Sequence, residues 1–146
     1  MDEILQAIRR TMSNSTLTDT FFEAVLQRLI SFGYKFQEND DWMLCFAMQT
    51  VENHIKSSCG VTSIPEGLSN VAVDRVCGEF LFAKKQTGQL TIEGLDLTGA
   101  IASISEGDTS VSFVAGATDD DRFNQLVNVL MTKGEGDFVC YRKMRW

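Results

Sequence analysis

The chain has 146 residues, of which 44% are hydrophobic and 23% charged, and its formal net charge is −7. This length predicts a single domain over residues 1–146, and the hydrophobic content argues against intrinsic disorder. The negative charge argues against a conventional nucleic-acid binder. No apolar run approaches the ~18 residues that a membrane span needs, so we expect a protein made in the cytoplasm with no membrane partner.

The charge is unevenly distributed along the chain. Residues 101–137 hold seven acidic and two basic side chains, whereas residues 142–146 hold Arg142, Lys143 and Arg145 and no acidic side chain. Such an asymmetry suits docking between like copies or docking to a charged partner. The alternative is an ordinary solvated surface with no binding role.

Hydrophobic periodicity predicts three helices before residue 60. The first covers residues 2–12, and the second begins after the cap Thr18 and ends at Gly33. The third runs from about Asp40 to Ser57 and is closed by Cys59 and Gly60. The apolar stripes are Ile4, Leu5, Ile8 and Met12; Phe21, Phe22, Val25, Leu26, Leu29 and Ile30; and Leu44, Cys45, Met48, Val51, His54 and Ile55.

The longest unambiguous segment is the helix predicted from Pro65 to Gly88. Pro65 suits a first helical turn, and Lys84, Lys85 and Gly88 form a regular stop signal. Apolar residues lie nearly all round this helix, which is typical of a helix packed on several sides. We therefore expect the other helices to surround it.

Residues after Gly88 follow a different pattern. Residues 89–99 form a glycine-dotted linker, anchored by Leu90, Ile92, Leu95 and Leu97. Apolar and polar residues then alternate around Gly107 and Asp108, which predicts a β-hairpin over residues 100–114. A turn at Glu106 and Gly107 is equally compatible with the pattern. Because an isolated hairpin is marginal in water, it must lie on the helices or on another subunit.

The last part of the chain predicts one more helix and an extended end. Thr118 and Asp121 have capping-box spacing, and an apolar stripe continues to about Lys133. Residues 134–137 break the helix, and residues 137–146 form a C-terminal arm. The predicted fold is mainly α: a bundle of four to five helices (1–88 and 118–133) with one inserted hairpin and an extended C-terminal tail.

No catalytic, cofactor or metal motif is recognisable in the sequence. The four cysteines, Cys45, Cys59, Cys77 and Cys140, are far apart and favour small buried side chains in a reducing compartment. His54 is a candidate proton carrier, although an ordinary structural histidine is favoured because only Glu52 lies nearby at helical spacing. We therefore predict no catalytic residue, no metal and no cofactor.

The C-terminal sequence YRKMRW interleaves aromatic and basic residues. This pattern can bind a nucleic acid by stacking and phosphate contacts. An ordinary solvated end and an extended arm that binds a neighbouring chain are the two other interpretations.

Five segments in a fixed order carry a resemblance to a known family. They are Phe32 to Tyr34, Ile64 to Leu68, Gly78 to Gly88, Ser103 to Phe113 and the terminal YRKMRW. In this order and spacing the chain resembles the head–tail connector, or adaptor, proteins of tailed bacteriophages and prophages.

This resemblance implies a structural virion protein and no enzymatic activity. Such proteins form a ring, expected to be a dodecamer, below the portal protein; they extend the DNA channel and bind the next neck or tail-completion protein. We place the hairpin tip at the channel or the adjacent ring, and the end of the arm against a neighbouring copy. The interaction residues are thus Glu106, Gly107, Asp108 and Thr109 in the tip, and Tyr141, Arg142, Lys143, Arg145 and Trp146 in the arm.

Two alternatives belong to other classes of protein. A tail-completion or stopper protein of the phage neck has a similar size and more β-structure. The other alternative is a small cytoplasmic regulatory module or an enzyme, but the sequence offers no nucleophile–base pair for an enzyme.

Overall fold

The computed structural model describes residues 2–13, 15–37, 40–88, 90, 95 and 118–132. These residues form five α-helices and one 3₁₀ helix, and no strand occurs among them. The mainly helical prediction is confirmed for this part of the chain, whereas the predicted hairpin (100–114) and arm (137–146) lie outside it. The helices are α1 (Asp2–Thr11), α2 (Asp19–Ser31), α3 (Asp40–Cys59), the 3₁₀ helix (Glu66–Leu68), α4 (Ser69–Gln86) and α5 (Asp119–Thr132).

Helix α4 is the centre of the bundle. It packs against α2, α3 and α5, while α1 packs against α2 and α3. Most of the middle of α4 is buried, including Val76, Phe80 and Leu81, which are fully enclosed. The prediction that the other helices surround this segment is therefore confirmed for α2, α3 and α5, whereas α1 packs on α2 and α3.

The start of the central helix differs from the prediction. Pro65 precedes a 3₁₀ turn, closed by a 2.9 Å hydrogen bond from the Leu68 amide to the Pro65 carbonyl, and α4 begins only at Ser69. Gly67 lies within this turn, and glycine is a poor residue for an α-helix interior. The chain therefore makes a tighter turn first and enters the α-helix one turn later.

The predicted caps are present. The Thr18 hydroxyl accepts a 3.3 Å hydrogen bond from the Phe21 amide at the start of α2. At the start of α5, Thr118 and Asp121 bond reciprocally, each side chain accepting from the other's amide at 3.2 and 3.1 Å. Both caps satisfy amides that have no partner inside the helix, so these two helix starts were readable from sequence.

Two residues assigned to apolar stripes lie at the surface instead. Ile30 is 43% exposed and His54 is exposed, although Leu29 and Ile55 beside them are buried. Successive helical residues point about 100° apart, as follows from 3.6 residues per turn, so a residue at the edge of a stripe turns to solvent easily. The placement of His54 near the apolar side of α3 was therefore wrong.

The linker prediction is confirmed where the structure describes it. Leu90 and Leu95 are partly buried and pack against the core. Ile92 and Leu97 lie outside the described residues.

Helices α4 and α5 approach each other closely at Gly78. A Cβ atom there would lie 2.8 Å from Leu130 Cβ, 2.9 Å from Met131 Cγ and 3.1 Å from the Met131 backbone nitrogen. These distances are below van der Waals contact, and neither Leu130 Cβ nor a backbone atom can move alone. Glycine at this position therefore lets α5 lie against α4.

We predict that Gly78→Ala destabilises the protein by about 1–3 kcal/mol, because the overpacking outweighs the gain in helix propensity. The urea midpoint of unfolding measures the change. Gly67→Ala, at an exposed position in the 3₁₀ turn, is the control and should shift the stability by less than about 0.5 kcal/mol. A more stable Gly78→Ala protein would contradict this packing of α5.

Candidate interaction surface

The interaction residues predicted from sequence lie outside the described part of the chain. This holds for the hairpin tip, Glu106, Gly107, Asp108 and Thr109, and for the arm residues Tyr141, Arg142, Lys143, Arg145 and Trp146. The described helices carry a different candidate surface, between α3 and α4, which the sequence analysis missed.

A groove of about 300 Å³ lies between α3 and α4, and we call it the α3–α4 groove. Its lining is mostly apolar, with one charged side chain, Glu79. Residues one and two helical turns apart provide each wall, since they share a helix face. The lining residues are Met43, Phe46, Ala47 and Thr50 from α3, and Glu79 and Ala83 from α4.

Large aromatic side chains stand in solvent on the same two helices. Phe46 is 70% exposed and Trp42 is 61% exposed on α3, and Phe82 is 42% exposed on α4. Trp42 and Phe46 are four residues apart and therefore lie on one helix face. Grouped exposed apolar side chains are typical of interaction surfaces, and aromatic residues are enriched in such surfaces.

A buried ion pair holds the two helices that form the groove. Lys84 Nζ lies 2.7 Å from Asp40 Oδ1, and the two side chains are 1% and 0% exposed. Lys84 Nζ also donates to Gln37 Oε1 at 3.2 Å. The pair joins the first residue of α3 to the last turn of α4, the two helices that form the groove walls.

The same carboxylate is satisfied by two further donors. Asp40 Oδ2 accepts from the Tyr34 hydroxyl and from the Gln37 amide, both at 2.7 Å. Burial, and then the hydrogen bond and the charge of Asp40, raise the pKa of Tyr34 far above its ordinary value. The phenol is therefore neutral at physiological pH. The centre of its ring lies 5.3 Å from that of Phe80 on α4, in an edge-on contact, so Tyr34 has a structural role.

A second polar cluster positions the opposite half of α3. Glu52 accepts hydrogen bonds from Thr16 Oγ1 at 2.8 Å and from Ser15 Oγ at 3.0 and 3.1 Å, and Lys56 Nζ lies 3.3 Å from it. Burial alone would raise the pKa of Glu52, but these hydroxyls and Lys56 together hold it below its ordinary value. The cluster fixes the α1–α2 connection onto α3.

A polar cleft of about 480 Å³ lies on the other side of α4, between it and α2. Arg28 Nε forms a 2.9 Å ion pair with Asp74 Oδ1 in its wall, and the Arg28 guanidinium lies 4.9 Å from the centre of the Phe32 ring. Asp74 is buried, and the Arg28 guanidinium balances the charge of its carboxylate. The pair links α2 to α4, which is a structural role.

The described residues offer little for catalysis. They hold no group of three or more His, Cys, Asp or Glu side chains that could bind a metal ion. Cys45, Cys59 and Cys77 are buried free thiols, as predicted, while Cys140 lies outside the described residues. Burial raises the pKa of Cys45 to about 11 and that of Cys77 further, so neither is a ready nucleophile.

None of the described helices has the length and apolar character needed to cross a membrane.

No family model, curated protein or solved structure matches this chain. Its function is therefore inferred from its residues and from the described surface.

The groove could have been found partly from sequence. Trp42 and Phe46 lie four residues apart and off the apolar stripe formed by Leu44, Cys45 and Met48. Two aromatic residues outside a core stripe are a signal for a second apolar face. Phe82 gave no such signal, because apolar residues surround α4 on nearly every side.

We predict that Lys84→Met destabilises the protein by about 3–5 kcal/mol, because the Asp40 carboxylate stays buried without its cation. The double variant Asp40→Asn/Lys84→Met should recover most of this loss, because no buried charge remains. Urea unfolding measures both. Lys85→Met is the matched control: Lys85 pairs with Asp120, whose side chain is 69% exposed, and such a pair contributes about 0–1 kcal/mol. Equal losses at positions 84 and 85 would contradict the buried pair.

We predict an acid-dependent loss of stability that involves Glu52. Its pKa is lower in the folded protein than the ordinary value of 4.5, so the ionised form stabilises the fold at neutral pH. This contribution is fully present above the unfolded pKa and is lost as the pH falls through the folded pKa. The urea midpoint, measured from about pH 6 to about pH 2.5, should fall less steeply in Glu52→Gln than in the unaltered protein. Parallel curves would show that Glu52 makes no such contribution.

Proposed function

We propose that this chain is a structural virion protein of a tailed bacteriophage or prophage. In this proposal it is the head–tail adaptor, which forms a homo-oligomeric ring, a dodecamer, between the portal protein and the tail. The ring extends the DNA channel and binds the next neck or tail-completion protein. The order of the five sequence segments from Phe32 to Trp146 supports this assignment, and the protein has no enzymatic activity in it.

The exposed aromatic surface of the described helices carries the proposal. Removing a large apolar side chain from water is favourable by roughly 1.5–3 kcal/mol. A single copy does not gain this free energy from Trp42 and Phe46, because both side chains are exposed. Copies arranged in a ring bury such side chains in every repeated contact. The groove lies on helices that are fixed by the Lys84–Asp40 pair, and a rigid surface loses little entropy on association.

The charge of the chain supports a place around a DNA channel. Genomic DNA must pass through the ring without binding to it, and attraction between basic residues and phosphates would hold it. A net charge of −7 avoids that attraction. The proposed location is the virion neck, after synthesis in the cytoplasm of the host bacterium.

The helical architecture favours the adaptor over the second candidate. A tail-completion or stopper protein is expected to be richer in strands, whereas the described residues are mainly helical. A far-ultraviolet circular dichroism spectrum of the whole chain, dominated by helix, is expected for the adaptor. A spectrum dominated by strand would favour the stopper. The described residues contain no observation that favours an enzyme or a regulatory module.

We predict that twelve copies of 16.3 kDa bind to the portal protein and add about 196 kDa to its mass. Mass photometry measures this mass, and electron microscopy of the phage particle should place the chain at the vertex where DNA leaves the head. A chain truncated after Tyr141 should assemble poorly, because the basic end of the arm is missing. Density for this chain elsewhere in the particle would overturn the proposal.

A further inference from the structure

We propose that the α3–α4 groove binds the C-terminal arm, residues 137–146, of a second copy of this chain. This inference rests on the proposed function, in which copies associate, and it names the receptor surface for the arm. The observations that carry it are the charge distribution of the chain, the chemistry of the groove and its exposure in a single copy.

The first step is electrostatic. The last five residues carry +3 and the whole chain carries −7, so the remainder carries −10. The arm of one copy is therefore attracted to the body of another, whereas two bodies repel each other. At the groove itself the charged lining residue is an acid, Glu79, which complements Arg142, Lys143 or Arg145.

The second step is the match of apolar surfaces. The groove is lined by Met43, Phe46, Ala47 and Ala83, and its volume of about 300 Å³ is at the lower end for a ligand pocket. A pocket of this size takes an anchoring side chain and not a folded domain. The arm supplies three aromatic anchors next to its bases, Phe138, Tyr141 and Trp146, and aromatic and arginine residues dominate the energetics of such contacts.

The third step concerns which copy supplies the arm. Phe46 of the groove and Trp42, one turn before it on α3, are 70% and 61% exposed in a single copy. The end of α5 lies near the groove, since Met131 meets Gly78 and Glu79 follows it. The fourteen residues that follow α5, 133–146, would span at most about 50 Å if fully extended. An arm from the same copy and an arm from a second copy are therefore both within reach, and the experiment distinguishes them.

Photo-crosslinking in the full chain makes that distinction. Phe46 is replaced by p-benzoylphenylalanine, and equal amounts of ¹⁴N- and ¹⁵N-labelled protein are mixed at high concentration and irradiated. We expect cross-links from position 46 to peptides from residues 137–146, half of them joining a light peptide to a heavy one. The same photo-reactive residue at Ile30, which is exposed on α2, is the control and should not mark the arm.

A charge reversal tests the electrostatic step independently. Glu79→Lys should weaken association of the full chain at least tenfold, measured as the dissociation constant by analytical ultracentrifugation, with the thermal midpoint confirming that the variant folds. Glu23→Lys changes the net charge equally at an exposed position of α2 and should leave association within about twofold, because a surface charge away from a contact has a small effect. Increasing salt should weaken the unaltered protein's association and reduce the effect of Glu79→Lys.

Several results would overturn the inference. One is that position 46 cross-links to residues 137–146 only between peptides of the same isotope label, which would place the arm in the groove of its own copy. Another is that position 46 cross-links to a different segment, or forms no intermolecular cross-link at millimolar concentration. The last is that Glu79→Lys and Glu23→Lys change the dissociation constant equally. A ring found at the phage neck with the groove cross-linked to another segment would sink this inference and leave the adaptor function intact. Arm-to-groove cross-links in a protein absent from the virion would do the reverse.

Discussion

The buried pair between Lys84 and Asp40 is the interaction on which the rest of the described structure depends. Two opposite charges with almost no solvent exposure are tolerated only when geometry and further hydrogen bonds compensate their lost hydration. Tyr34 and Gln37 supply those bonds. One polar cluster thereby fixes the start of α3, the end of α4 and the connection after α2 relative to one another, which apolar contacts alone specify less uniquely.

The parts of the fold that sequence could predict are those set by local chemistry. The caps at Thr18 and Thr118 depend on residues no more than three positions away. The helix ends at Gly33 and Gly88 depend on a positive φ, which both glycines adopt. Periodicity predicted the five α-helices that the structure describes and identified α4 as central, because a helix that is apolar nearly all round is packed on several sides. The hairpin and arm fall outside the described residues and stay predictions.

The sequence misled where a residue's environment depends on a distant partner. Lys84 belongs to a helix stop signal and Asp74 is a charged residue on a mostly apolar helix, yet both side chains are buried. Their partners, Asp40 and Arg28, lie 44 and 46 residues away along the chain, and no local pattern encodes such a pairing. Trp42 is the opposite case. A tryptophan is usually mostly buried, but this one lies off the apolar stripe of α3 and is 61% exposed.

The buried charged pair and the exposed aromatic side chains occur on the same two helices, α3 and α4. A charged pair in the interior is a demanding way to join α3 to α4, but it fixes their relative position more narrowly than interchangeable aliphatic contacts do. A groove whose two helices are joined by such a pair has less freedom to change shape, which lowers the entropy cost of association. The α3–α4 groove and the buried pair therefore have complementary roles. The pair fixes the position of α3 relative to α4, and the groove between them supplies the contact surface.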